Sequence, residues 1–284
     1  MSVANRPATM RQLIDAATGA LAAAGVASPR VDAELLAAHA AGIERGRLTF
    51  TTPDDGFAER FGRLVARRAE RVPLQHLTGV AAFGPVDLHV GPGVFVPRPE
   101  TEALLEWALT QPLRPEAVIV DLCTGSGALA VALAASRPTA RVIGVDDSAE
   151  ALAYARRNTA GTAVELLCAD ATAPDLLADL DGTVDLLVAN PPYIPAGAAL
   201  EPEVAQHDPA HALFGGRDGM AVIDRIVDVA ARLLRPGGFC AVEHDDTTSQ
   251  RSVDAFAGTG RFTAVTARRD LTGRPRFVTA LRSE

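Results

Sequence analysis

Cysteine, net positive charge and unbroken apolar runs are all in short supply in this chain of 284 residues. The three cysteines, Cys123, Cys168 and Cys240, stand far apart, with no CxxC pair and no Cys/His spacing suited to a metal. Nothing calls for a disulfide framework or a metal ion, so the expectation is three buried apolar thiols in a reducing cytoplasm. Arginine and lysine number 27 against 35 acids, a net charge of −8. That disfavours a general nucleic-acid binder, although a local basic face is still allowed. The one long apolar stretch, "AVIVDLCTGSGALAVALAAS", has the length of a membrane span. Its middle is too polar and too rich in glycine for a lipid-facing helix, so strand, turn and helix is the better parse. "LIDAATGALAAAGVAS" has a faint signal-peptide look, but Asp15 interrupts it. A soluble protein without a membrane partner is expected.

What is present divides the chain into three segments. Residues 1–78 read as a small helical domain: Leu13, Ala16, Ala17, Ala20, Leu21 and Ala24 recur at helical spacing before Gly25, and Ser28-Pro29 opens a second helix. A third helix, over 57–71, carries Arg60, Arg63, Arg67 and Arg71 on one face. That face is either a solvated stripe or a docking surface for a macromolecule. Residues 79–98 read as a β-hairpin linker, with Val86, Leu88 and Val90 alternating before a turn at Gly91-Pro92-Gly93 and a second run at Val94, Phe95 and Val96. In 99–284, strands at 117–121, 141–146, 163–168, 184–189 and 238–243 alternate with helices, and two more strands flank a turn at 272–275. This pattern predicts an α/β fold with a seven-stranded, mostly parallel sheet that ends in an antiparallel pair.

The first strand of that sheet runs into "DLCTGSGALAVALA". Gly125 and Gly127 allow a tight turn and a close approach of backbone to ligand, and the helix that follows offers free N–H groups to an anion. Asp146 ends the second strand, where an acid accepts from both ribose hydroxyls. Asp147 is expected to face the start of the next helix instead, near Ser148. Asp170 ends the third strand, within reach of an adenine amino group. Together these indicate an adenosine ligand, and NAD is still open at this point.

The fourth strand discriminates. "VDLLVANPPYIP" is a core strand broken by Asp185 and followed by a polar amide, two prolines and a tyrosine. Proline cannot continue a central strand, so Asn190-Pro191-Pro192-Tyr193 is a rigid loop at the sheet's ligand-binding edge. Its side-chain and carbonyl oxygens suit the two N–H bonds of a planar amide or amine, with Tyr193 packing on the plane. Such a loop beside an adenosine site resembles those of methyltransferases that use S-adenosylmethionine on planar nitrogens.

The resemblance sharpens over nearly the whole length. "VPLQHLTGVAAFG", "GPGVFVPRPETEALLEWAL", "DLCTGSGALAVALA", "ANPPYI", "EPEVAQHDPAHALFGGRDGM", "LLRPGGFCAVEH" and "DLTGRPRFV" resemble the PrmC/HemK family of peptide chain release factor N5-glutamine methyltransferases. The resemblance implies a class I, Rossmann-like methyltransferase domain behind a helical substrate-recognition domain. It also implies an enzyme that converts S-adenosyl-L-methionine to S-adenosyl-L-homocysteine. The acceptor would be the glutamine of the Gly-Gly-Gln motif of a release factor, and the enzyme a cytoplasmic monomer without a stable nucleic-acid partner.

Carried over residue by residue, the cofactor site falls on Asp121, Cys123, Thr124, Gly125, Ser126, Gly127, Asp146, Asp170, Ala171 and Asn190. The catalytic clamp falls on Asn190, Pro191, Pro192 and Tyr193, and Arg98 and Glu100 are candidates for the substrate pocket. Cys123 replaces the family's usual glycine, and "EHDDTTSQ" replaces its usual "EHG". Glu243 stands evenly between a structural and a functional reading, and "FGGRDGM" reads as a turn leading to a helix near the substrate. Three rivals remain. They are an adenine-N6 nucleic-acid methyltransferase with the same clamp, a nicotinamide-dependent dehydrogenase, and a non-catalytic scaffold that binds adenosylmethionine or haem. The first would need a basic, aromatic base-flipping region, whereas the only tryptophan, Trp107, sits in an amphipathic helix.

Overall fold

The computed structural model describes residues 8–284; residues 1–7 of the expected first domain lie outside the described residues. Two compact units result, one of residues up to Gly79 together with Glu201–His207, the other of 80–200 and 208–284.

The first unit is helical. Helices α1 (Met10–Ala23), α2 (Pro29–Ala41), α3 (Phe57–Ala69) and α4 (Leu74–Thr78) enclose a core of Ile14, Leu21, Leu36, Phe57, Phe61 and Leu77. Thr9 and Gln12 form a reciprocal capping box at the start of α1, and Gly42 ends α2 in the left-handed conformation. Arg68 is buried, donating from Nε to Asp32 at 2.7 Å and lying 2.7 Å from Glu203 through Nη1. Arg71 donates to the same Glu203 at 2.9 Å. Glu203 belongs to a short helix, α8 (Pro202–His207), so this stretch, which the sequence placed in the third segment, packs with the helical unit. On the α3 stripe Arg60 pairs with Asp54 and Arg63 with Glu59, so much of its charge is neutralised within the unit.

The second unit is built on a seven-stranded sheet. Its strands are β3 (Val118–Leu122), β4 (Arg141–Asp146), β5 (Glu165–Cys168), β6 (Val184–Ala189), β7 (Leu234–Glu243), β8 (Phe262–Arg269) and β9 (Pro275–Arg282), in the order β5-β4-β3-β6-β7-β9-β8. All pairings are parallel up to β7, and β9 runs antiparallel to both β7 and β8. The period-2 pattern divides the core. Ile119, Leu186 and Val188 face α5 (Glu102–Thr110) and α6 (Ala128–Ser136). Val120, Leu122, Leu187 and Ala189 face α9 (Ala221–Leu233) and α10 (Ser249–Gly258). Every residue of β6 is buried, including Asp185. This carboxylate accepts from the Val118 N–H at 2.8 Å, Arg114 Nε at 3.0 Å and Arg235 Nε at 2.6 Å, which satisfies a charge the core could not otherwise hold.

Two expectations are corrected. The hairpin pairs β1 (Val80–Phe83) with β2 (Val86–His89) about Gly84-Pro85, not 86–90 with 94–96. Gly91 and Gly93 instead make room for α7 (Ala149–Asn158): a Cβ on Gly91 would overlap Tyr154, and one on Gly93 would stand 2.7 Å from Glu150. Asn158 then ties β2 down, accepting from His89 N at 2.7 Å and donating to His89 O at 3.0 Å. The second correction concerns the thiols. Cys240 is buried, but Cys123 is only partly so and Cys168 is exposed, because β5 forms the edge of the sheet.

Candidate methyl-transfer site

Crossovers from β3 run towards β4, and those from β6 run towards β7, so the sheet's direction of winding reverses between β3 and β6. Ligand crevices form outside the carboxyl ends of strands at such a switch point. A cleft opens there, lined by residues of the β3, β4, β5 and β6 loops, by Phe95, Pro97 and Thr101 ahead of α5, and by Pro209 and residues 211–214. The sheet thus brings together Asp121, Cys123, Thr124, Gly125, Ser126, Asp146, Asp170, Ala171 and all four residues of the Asn-Pro-Pro-Tyr loop.

After β3 the backbone turns through three residues of positive φ: Cys123 (58°), Gly125 (55°) and Gly127 (84°). Gly127 is the N-cap of α6 and does not line the cleft. The turn is held by Thr124 N donating to Val145 O at 2.9 Å and by Gly125 N donating to Asp146 Oδ2 at 2.8 Å. Ser148 N donates to the other oxygen of Asp146 at 2.9 Å, so both oxygens keep a lone pair for further donors. Burial raises the Asp146 carboxyl above its ordinary value, against the pull of those two N–H bonds. Asp170 goes the other way, lowered by the hydroxyl and N–H of Thr172 on its Oδ1. Asp147 lines the cleft rather than turning to the helix start, where Ser148 caps α7 instead.

Asp121 is 1 % exposed. Its Oδ2 accepts from Thr124 Oγ1 at 2.5 Å and from Ala130 N at 3.1 Å, whereas its Oδ1 is buried without a partner. Burial pushes this carboxyl up to about 7. A buried acceptor with nothing to accept from suits a cationic donor.

The loop after β6 is braced from beneath. Asn190 Nδ2 donates to Thr101 Oγ1 at 3.1 Å, Thr101 Oγ1 donates to Glu243 Oε2 at 2.8 Å, and Tyr193 OH donates to Glu243 Oε1 at 2.7 Å. Glu243 is wholly buried at the end of β7. On the outer side, Ile194 N donates to Leu213 O at 2.8 Å and Gly215 N to Ile194 O at 3.0 Å. The "FGGRDGM" stretch leads into α9, as expected, and its glycines permit contact of backbone on backbone. A Cβ on Gly215 would stand 2.5 Å from Pro192 O, and one on Gly219 would overlap Tyr193 O.

Arg98 and Glu100 are not among the lining residues. Arg98 lies over the Phe95 ring, 4.8 Å from its centroid, and pairs with Asp208. Pro97 and Thr101, from the same "PRPETE" run, line the cleft instead. Phe83 and Phe214, carried by "VAAFG" and "FGGRDGM", are further lining residues that the sequence does not single out, and His211, whose sequence reading is packing or surface hydrogen bonding, lines the cleft too. Among the described residues no group of His, Cys, Asp and Glu is placed to hold a metal, and no helix is long and apolar enough to cross a membrane.

Two families match the chain, the PrmC N-terminal domain over residues 12–79 and the methyltransferase small domain over residues 86–267. A release factor glutamine methyltransferase of Mycolicibacterium smegmatis is 70 % identical over 96 % of this chain and 98 % of its own length. The protein of that name from Mycobacterium tuberculosis is 64 % identical over 96 % of this chain and 92 % of its own. A 4-amino-L-phenylalanine/4-methylamino-L-phenylalanine methyltransferase of Streptomyces pristinaespiralis is 40 % identical over 92 % of this chain and 91 % of its own.

Proposed function

The chain belongs to the release factor glutamine methyltransferase family, and on that premise we propose that it methylates N5 of the glutamine in the Gly-Gly-Gln motif of peptide chain release factors. S-adenosylmethionine is the cofactor, and it supplies a methyl group made electrophilic by the sulfonium. The residues present suit it. The orphaned Asp121 Oδ1 would take its ammonium, the N–H groups at the start of α6 its carboxylate, Asp146 its ribose, and Asp170 with Ala171 its adenine.

The observation that carries the reading is the commitment of Asn190 Nδ2 to Thr101. It leaves Asn190 Oδ1 as an acceptor in the cleft. An amide nitrogen is a poor nucleophile because its lone pair is shared with the carbonyl. Asn190 Oδ1 and the Pro191 carbonyl together would hold its two N–H bonds and turn the lone pair towards the methyl group. Pro191 and Pro192 restrict the backbone that aims this carbonyl, and Tyr193, its hydroxyl tied to Glu243, presents its ring to the planar amide. After transfer the nitrogen is a strong acid and loses its proton to solvent, so no dedicated base is required. Aligning two bound reactants contributes roughly 7–11 kcal/mol to such a step. We read the enzyme as a cytoplasmic monomer with a protein substrate and no stable nucleic-acid partner, in keeping with its charge of −8.

The test is transfer of labelled methyl to purified release factor, with a Gly-Gly-Ala factor, duplex DNA and 4-aminophenylalanine as parallel acceptors. Label on the intact factor alone is expected, with kcat at saturating cofactor falling about 10²-fold or more in Asn190→Ala. Label on DNA or on the arylamine in place of the factor would overturn the reading.

A further inference from the structure

Thr101 has one hydroxyl proton and stands between two groups that could take it. Its Oγ1 is 2.8 Å from Glu243 Oε2 and 3.1 Å from the side-chain amide of Asn190. An ionised carboxylate is a stronger acceptor than an amide carbonyl, so the proton goes to Glu243. The Asn190 amide can then meet Thr101 only by donating from Nδ2. The opposite flip would set Oδ1 against an oxygen with no proton left to give, and would turn an NH2 group towards the N–H bonds of the substrate.

Resting on the function argued above, we propose that Glu243 and Thr101 are a positioning pair that locks Asn190 in the single flip able to accept from the substrate nitrogen. Glu243 does not line the cleft; it acts through Thr101 on Asn190 and directly on the Tyr193 hydroxyl. One buried carboxylate therefore orients both polar side chains of the clamp. This accounts for a fully buried acid at the end of a core strand and for a threonine within "PRPETE".

The lock depends on charge. Burial pushes Glu243 up to about 7, against the hydrogen bonds from Tyr193 and Thr101 and the charge of Arg276 on β9, with Glu100 pushing further up. Once protonated, Glu243 donates a hydrogen bond instead, the Thr101 proton is released, and both flips of Asn190 can be satisfied. Activity should therefore fall on the acid side of neutrality for a reason internal to the enzyme.

Kinetics on release factor with Thr101→Val, Thr101→Ser and Glu243→Gln test this, with cofactor affinity measured separately. Thr101→Val is expected to lose about 10²-fold in kcat with cofactor affinity kept. Thr101→Ser should return to within a few-fold of the parent, and Glu243→Gln should lose the acid limb of the pH profile of kcat at saturating cofactor. A second readout needs no acceptor: the Asn190 side-chain 15N amide resonance should titrate near neutral pH in the parent and stay flat in Glu243→Gln. Parental kcat in Thr101→Val, a loss that serine does not restore, or an Asn190 resonance that titrates unchanged without Glu243 would each overturn the pair. If Thr101→Val fails to fold, Thr101→Ser and Glu243→Gln decide. A parent that leaves the release factor unlabelled refutes the functional reading, and the resonance then decides this inference alone.

Discussion

Thr124 Oγ1 donates to Asp121 Oδ2 at 2.5 Å, and with Ala130 N on the same oxygen it leaves Asp121 Oδ1 buried with no partner. The carboxyl is pushed up to about 7 by burial, against those two bonds and with the Asp146 charge adding to the rise. The folded protein without ligand therefore holds a proton there below about pH 7, and an ammonium placed at Oδ1 expels it. Cofactor affinity should rise with pH up to about 7, by as much as tenfold per unit, and level off above. Calorimetry in two buffers of different protonation enthalpy should show proton release near pH 6.5, and Asp121→Asn should abolish it. Equal proton release in the two proteins would refute the assignment of this oxygen.

Gly219 has φ +79°, and a Cβ there would overlap the Tyr193 carbonyl oxygen. Gly219→Ala combines left-handed strain of about 1–2 kcal/mol with overpacking of about 1–3 kcal/mol. It should destabilise the protein by about 2 kcal/mol or more and displace the Asn-Pro-Pro-Tyr loop. Denaturant unfolding and transfer rates should both register it, whereas Gly161→Ala, at φ +81° with open space around it, should carry the strain alone.

Asp185 lies far from the chemistry, at the amino end of β6. Burial pushes its carboxyl up, but the bonds from Arg114, Arg235 and the Val118 N–H outweigh this and leave it below its ordinary value. A depressed acid contributes stability that is present above the unfolded pKa, about 3.9, and is lost as pH falls through the lower folded value. Asp185→Ala leaves the Val118 N–H without its acceptor, while the two arginines can turn to solvent, and should cost about 1–3 kcal/mol at neutral pH. Urea midpoints across pH 2–7 should show the acid-side loss of stability shrinking in the variant.

Cys168 is exposed, Cys123 is partly buried and Cys240 fully buried. Burial, with the charge of the surrounding acids, holds the Cys123 thiol well above its usual range, and burial alone raises Cys240. Brief alkylation at pH 7.5 followed by peptide mass mapping should label Cys168 first, Cys123 slowly and Cys240 only on unfolding. Saturating cofactor should slow Cys123 further, since it lines the cleft.

Much of this molecule is legible in its residues, because the signals are local. Strand and helix alternation, glycines at a tight turn, acids ending successive strands and a double proline after an apolar run each follow from backbone sterics and hydrophobic periodicity within about ten residues. The sheet ends where those signals put it: β4 and β6 span 141–146 and 184–189 as expected. The sequence misplaces the hairpin because Gly91-Pro92-Gly93 carries a turn signature, whereas the demand for glycine there comes from Tyr154 and Glu150, more than fifty residues away. Cys168 looked like a core strand residue, since periodicity cannot tell an edge strand from a central one; strand order decides that, and strand order is a property of the assembled sheet. Arg98 and Glu100 were singled out next to Thr101, but which of three neighbours meets the cleft depends on how the turn before α5 packs. The residues of the proposed clamp, Asn190 and its prolines, are thus legible in the chain itself. The bonds that orient it join residues 101, 190, 193 and 243, so only tertiary folding could bring donor, acceptor and buried charge within hydrogen-bonding distance.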